Sequence, residues 1–208
     1  MKSIYITFCV ALIFSCKGDD DFVSNTNNVA ASLAVGCEGV SYPNWETSLH
    51  VLPYPVGKSY RIGLSHCGGT PHNPGDPDQF AINIEMDIGT VVTASRKGTI
   101  MFVEDSGMDF QPTNNMVVLR DEDGYFLQYQ HLTFNGALVE VGDFVEKGDP
   151  IGLSGASGNA PYPFLHFVAT RFGDWEFPYS RSYPITFSNT TENSKSLLQG
   201  ETYEALPY

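Results

Sequence analysis

From about residue 49 onward, glycine and proline cut the chain at close intervals, and no window holds a sustained helical period. The chain has 20 Gly and 13 Pro in 208 residues. Between these breaks lie short alternating runs. In "QFAINIEMD", Phe80, Ile82, Ile84 and Met86 fall on one face and Ala81, Asn83 and Glu85 on the other, which is the period of a strand. "TVVTASRKGTIMFVED" reads as two strands around a turn at Lys97-Gly98. "NNMVVLRDEDGYFLQYQHL" reads as a hairpin with Asp123-Gly124 at its tip. "VEVGDFVEKGDPIG" repeats Val-Glu-x-Gly-Asp, as two successive tight turns would. Many short strands with this punctuation predict an all-β domain, a sandwich or a barrel-like sheet. "YPFLHFVAT" is a buried strand with one imidazole, His166, at its centre. A lone His in such a strand is more often a packing residue than a ligand.

The N-terminus is read before the fold. Residues 1–15 have one Lys and then an apolar run from Ile4 to Phe14, too short to span a bilayer and suited to a secretory signal. Ser15-Cys16 resembles a bacterial lipoprotein cleavage site, with Cys16 carrying the lipid; the alternative is a general signal cut elsewhere. The "KGDDDF" that follows resembles the surface-export signal of Bacteroidetes lipoproteins, and otherwise is a solvated acidic linker. Residues 16–45 are thus expected to be a lipidated, flexible acidic linker to the outer membrane, and 46–208 a single domain. A net charge of −13 argues against nucleic acid and against docking on anionic lipid. Cys9 leaves with the signal. Cys37 and Cys67 remain, and export permits a disulfide between them; their spacing is not a zinc pattern.

The order of motifs carries a resemblance. "GTVVTASRKGTI" is followed by "YFLQYQHL", then "VEVGDFVEKGDPIGLSGASG", then "FLHF". This series, over roughly residues 50–205, resembles the lysostaphin-type (LytM-like) zinc metallopeptidases. The resemblance implies the duplicated hybrid motif fold, an antiparallel β-sandwich with an open cleft floored by one sheet and walled by loops. It also implies a Zn²⁺ held by two His and one Asp. Such a metal leaves one position for a water, lowers its pKa and polarises a peptide carbonyl, usually in peptidoglycan. Two further imidazoles would serve the oxyanion and the leaving amine.

Carried over position by position, the resemblance makes His72 of "PHNPGDPDQFAIN" the first metal ligand, with His66 the weaker candidate. A more compact reading puts Gln79 there instead. The ligand Asp is replaced by Asn83, whose amide brings no charge, and Glu85 lies one pleat further along. His166 matches the last ligand. Phe164 stands at a catalytic His position and cannot move a proton. His131 of "YQHL" matches the other imidazole. Tyr129, two residues before it, is expected to face the cleft beside it. The aromatic run "RFGDWEFPYSRSYP" reads either as a groove rim or as a loop packed on the sheet.

Asn83 and Phe164 both weaken hydrolysis: losing one acid–base group costs on the order of 10²–10⁴ in rate, and losing a charged ligand lowers zinc affinity. The leading expectation is an exported lipoprotein whose cleft binds peptidoglycan peptides or a cell-wall hydrolase without cleaving. The alternative is a working or weakened zinc endopeptidase, with Asn83 or a loop carboxylate completing the metal shell. The plainest reading is a spacer on the outer membrane whose histidines only pack.

Overall fold

The computed structural model of this chain describes residues 36–171, 175–176, 179 and 181–208. The expected signal and Cys16 lie outside the described residues. Eleven strands appear: β1 (Ser59–Leu64), β2 (Ile82–Glu85), β3 (Val91–Thr93), β4 (Gly98–Glu104), β5 (Met116–Asp121), β6 (Tyr125–Gln130), β7 (Leu132–Ala137), β8 (Phe144–Val145), β9 (Pro150–Ser154), β10 (Phe164–Arg171) and β11 (Thr202–Glu204). A three-residue 3₁₀ turn, Trp45–Thr47, is the only helical element among the described residues.

The strands form two antiparallel sheets, one of eight strands in the order β11-β1-β2-β10-β6-β5-β4-β8 and one of three, β3-β9-β7. The domain is all-β, as the punctuation predicts. Alternation explains how the sheets meet. Ile82 and Ile84 from β2, Leu119 from β5, Leu127 from β6 and Phe167 from β10 share one fully buried core with Val92 from β3 and Ile151 from β9. Each such side chain contributes roughly 1.5–3 kcal/mol by leaving water. The opposite face of β2 and β10 is left to floor a cleft.

Turns follow their sequence signals. Gly124 at the β5–β6 tip has φ +83°, where only glycine is at ease. The two Val-Glu-x-Gly-Asp repeats make the same turn twice: Asp143 Oδ2 accepts from the Glu140 N–H and Asp149 Oδ2 from the Glu146 N–H, each at 2.8 Å.

Two expectations are corrected. Tyr129 does not face the cleft. It is fully buried in the core against Phe167, and its hydroxyl accepts from the Ser95 N–H at 2.8 Å. The alternation that suggested otherwise stops at the end of β6, because His131 takes a left-handed φ of +64° and breaks the period of two. Residues 36–45, expected to close a flexible linker, are tied to the domain. Cys37 is buried and bonded to Cys67, 30 residues away, and Tyr42 stacks on His66 at 5.7 Å between centroids.

The disulfide closes a loop that joins this N-terminal segment to the chain just ahead of the cleft. Cross-links of this size stabilise by about 2–4 kcal/mol. Cys37→Ser is expected to lower the unfolding free energy by that amount in urea titrations, with the denaturant dependence little changed.

Candidate functional site

The cleft is built on the register of its floor. β2 and β10 pair so that Asn83 lies opposite His166 and Glu85 opposite Phe164. On its other side β10 places His166 opposite Gln130 of β6. Asn83, His166 and Gln130 thus form a polar row across three neighbouring strands. His166 Nδ1 and Asn83 Oδ1 are 2.8 Å apart, a good hydrogen bond from ring N–H to amide oxygen. Glu85 is not in this row. It pairs at the rim with Arg61, at 2.5 Å.

His131 enters from the loop after β6. Its Nδ1–H donates to the Ser157 carbonyl at 2.8 Å and its own N–H donates to Asn114 Oδ1 at 3.0 Å. That fixes the tautomer, so Nε2 carries the lone pair. The ring lies 5.8 Å from His166 and 4.7 Å from Phe164, centroid to centroid. Burial, then the nearby His166, lowers its pKa to about 4, against the opposing Ser157 carbonyl.

The loop ahead of β2 brings in His72. Its N–H donates to Gly69 O at 2.5 Å, and Asn73 is held by Asp76 Oδ2 at 2.9 Å. These bonds shape the Pro74–Asp78 stretch so that His72 does reach the cleft, with its ring 5.4 Å from His166. Nδ1 donates to the Ser65 carbonyl at 3.3 Å, while Nε2 is buried and makes no hydrogen bond. Burial and His166 lower its pKa to about 4. Gln79, the compact alternative, turns away: its Oε1 accepts from the Gly75 N–H at 2.7 Å. His66 is set between Tyr42 and Phe80, outside the cleft lining.

Asp78 is the residue that sequence reasoning left unnumbered. It ends the same loop, and its Oδ1 accepts from the Tyr179 hydroxyl and faces His166 Nε2 at 3.3 Å. It is one of two carboxylates in the Pro74–Asp78 stretch, so composition alone could have offered it. Nothing in the sequence points to Tyr179, which reaches it from 101 residues away.

The site's fit to zinc follows from its donors. A catalytic zinc centre takes three protein ligands aimed at one point. Here each ring nitrogen of His166 is aimed at a side-chain oxygen, Asn83 on one edge and Asp78 on the other. Of the three expected ligands His72, Asn83 and His166, only His72 keeps a ring nitrogen with no partner. No three His, Cys, Asp or Glu come together as a metal site among the described residues. As arranged, these side chains do not fit a catalytic zinc.

The site is thus an amide and an imidazole on the floor of an all-β domain, with two more imidazoles beside them, in a cleft of about 850 Å³. Residues 78–176 match Peptidase family M23. Lysostaphin from Staphylococcus simulans is 37 % identical over 126 residues, 60 % of this chain and 21 % of that protein. Peptidoglycan DD-endopeptidase ShyA from Vibrio cholerae is 35 % identical over 123 residues, 55 % of this chain and 26 % of that one. A solved structure of lysostaphin from Staphylococcus simulans has TM-score 0.49 and 27 % identity, over 66 % of this chain and 51 % of that one. Over this central stretch the chain is thus similar to the M23, lysostaphin-type peptidases, and it spans about a fifth to a quarter of the length of these curated relatives. M23 peptidases use Zn²⁺ and act outside the cytoplasm. The family match opens at Asp78, so His72 lies ahead of it.

The buried imidazoles make stability depend on pH. His66, like His50, is lowered to about 3, chiefly by burial. Below its ordinary 6.5 the unfolded chain takes up the proton first. The stabilisation is therefore complete above about pH 6.5 and is lost as pH falls toward the folded value. Between pH 7 and pH 5 one such ring costs about 2 kcal/mol. His66→Phe, which keeps an aromatic ring against Tyr42 and Phe80, is expected to reduce the pH 7 to pH 5 loss of unfolding free energy by that amount.

Proposed function

We propose that this domain binds peptides at the cell envelope and no longer hydrolyses them, taking peptidoglycan peptides or a partner cell-wall hydrolase into its cleft. The observation that carries the reading is the Asn83–His166 hydrogen bond on the floor. A neutral amide stands where the family resemblance implies a metal-binding carboxylate, and it engages the imidazole that the resemblance assigns to the metal. Phe164, buried at 4 % exposure beside His131, supports it further, since a phenyl ring in the place of a catalytic imidazole moves no proton. The retained cleft and the family relationship support peptides as ligands. One of the similar proteins, ShyA from Vibrio cholerae, is a peptidoglycan DD-endopeptidase.

The delivery route belongs to the same proposal. A signal over residues 1–15 and a lipid on Cys16 would hold the domain at the outer membrane, with a tether up to the Cys37–Cys67 bond and the domain beyond. The positions Met1–Phe14, Ser15-Cys16 and the acidic run support this from sequence alone.

A second reading, a weakened zinc endopeptidase, has one specific observation in its favour. His72 Nε2 is buried without a hydrogen bond, and Asp78 places a carboxylate beside His166.

Metal analysis separates the two. Protein purified from zinc-replete medium is expected to hold well under one zinc per chain and to release no peptides from purified peptidoglycan. Asn83→Asp with Phe164→His is expected to raise zinc occupancy toward one. One tightly held zinc in the unaltered chain, with digestion that a chelator stops, would overturn the proposal.

A further inference from the structure

We infer that the cleft recognises a primary ammonium group, with Asp78 as its counter-ion and an aromatic wall as its cage; this deepens the peptide-binding reading and rests on it. The cleft lining holds one carboxylate, Asp78, and no lysine or arginine. Arg61, on neighbouring β1, is already paired with Glu85.

The geometry of Asp78 is what a counter-ion needs. Both of its contacts, the Tyr179 hydroxyl and His166 Nε2, fall on Oδ1. Among the described residues Oδ2 accepts no hydrogen bond, and it is not among the atoms sealed from solvent. One oxygen is thus pinned while the other is left accessible, on a residue that lines the cleft. His131 adds a second acceptor there. Its Nδ1–H is spent on Ser157, and its Nε2 is likewise unpartnered and unsealed. Two acceptors and no lysine or arginine favour a ligand that brings N–H donors and positive charge.

Part of the cleft lining is aromatic. Phe164 packs against Tyr162 at 5.1 Å and against His131 at 4.7 Å. Tyr162 is 40 % exposed and Phe110 57 % exposed, and both line the cleft. Phe110 is held at φ +60°, a conformation costly for a bulky residue and one that recurs at ligand-binding positions. Aromatic faces around one carboxylate are a recognised cradle for alkylammonium groups. Phe164, which removes the proton carrier, supplies part of that cradle. A lysine-type side-chain amine of an uncross-linked stem peptide has this chemistry, whereas the same nitrogen in a cross-link is a neutral amide.

The test compares two neutral-backbone peptides by calorimetry on the chelator-treated full chain: N-acetyl-L-Ala-γ-D-isoGln-L-Lys amide with its side-chain amine free, and its Nε-acetyl form. The free amine is expected to bind about tenfold more tightly at low salt, the size of one charge-assisted hydrogen bond, with the advantage shrinking in about 1 M NaCl. Asp78→Asn should bring the two forms within about twofold. Tyr162→Ala, at an exposed ring and so without risk to folding, should weaken the amine form more than the acetylated one. Equal affinity for both forms in the unaltered chain would refute the ammonium site and leave peptide binding standing. Binding of neither would overturn both the ammonium site and the stem peptide as the cleft's ligand.

Discussion

The pairing of β2 with β10 governs this molecule. Its register puts Asn83 across from His166 and Glu85 across from Phe164. A slip of one residue would turn Ile82 and Ile84 into the cleft and the polar row into the core. Because Ile82, Ile84 and Phe167 are fully buried, the core fixes that register firmly. The site is therefore a by-product of core packing: two strands that cannot shift hold two side chains within hydrogen-bond reach. Everything mobile about the cleft's chemistry has to come from the loops above.

Those loops are anchored more than their composition suggests. The loop ahead of β2 carries His72 and Asp78 to the floor, and the Cys37–Cys67 bond ties its start to the N-terminal segment. Gln79, at its far end, bonds back to Gly75. On the opposite side Ser157 fixes the His131 tautomer and Gly158, at φ +70°, brings the backbone against Asn114. A side chain there would lie 2.8 Å from Asn114 Cβ, so that wall owes its closeness to a glycine.

The strands were legible because their cause is local. Alternation around Ile82 and Ile84, and the Asp123-Gly124 tip, each encode their geometry within a few residues. His166 and Asn83 could be put on one face by that logic. Tyr129 could not be placed by it, since the rule was carried one step past the strand into His131, whose left-handed backbone reverses the side chain. The loop residues had no such rule. His72 reaches the floor through bonds to Gly69 and Ser65, and Asp78 is met by Tyr179 across the fold. Such contacts depend on tertiary closure, which no spacing expresses.

On the proposed reading, Asn83 and Phe164 are linked, and the link runs through charge. A zinc ion with one carboxylate ligand leaves a site with net positive charge, which polarises carbonyl oxygens and draws anionic groups. With an amide in the carboxylate's place, the dication loses the donor that offsets it. The imidazole beside it is then free to bond to that amide, as His166 does. On the proposed reading, with no metal held, the one carboxylate of the cleft lining, Asp78, sets the sign of the charge there. A proton carrier at position 164 would then face no activated water. A phenyl ring there loses nothing in chemistry and gains a face suited to cations. On the proposed reading, a cleft of this fold comes to favour a nitrogen that carries protons.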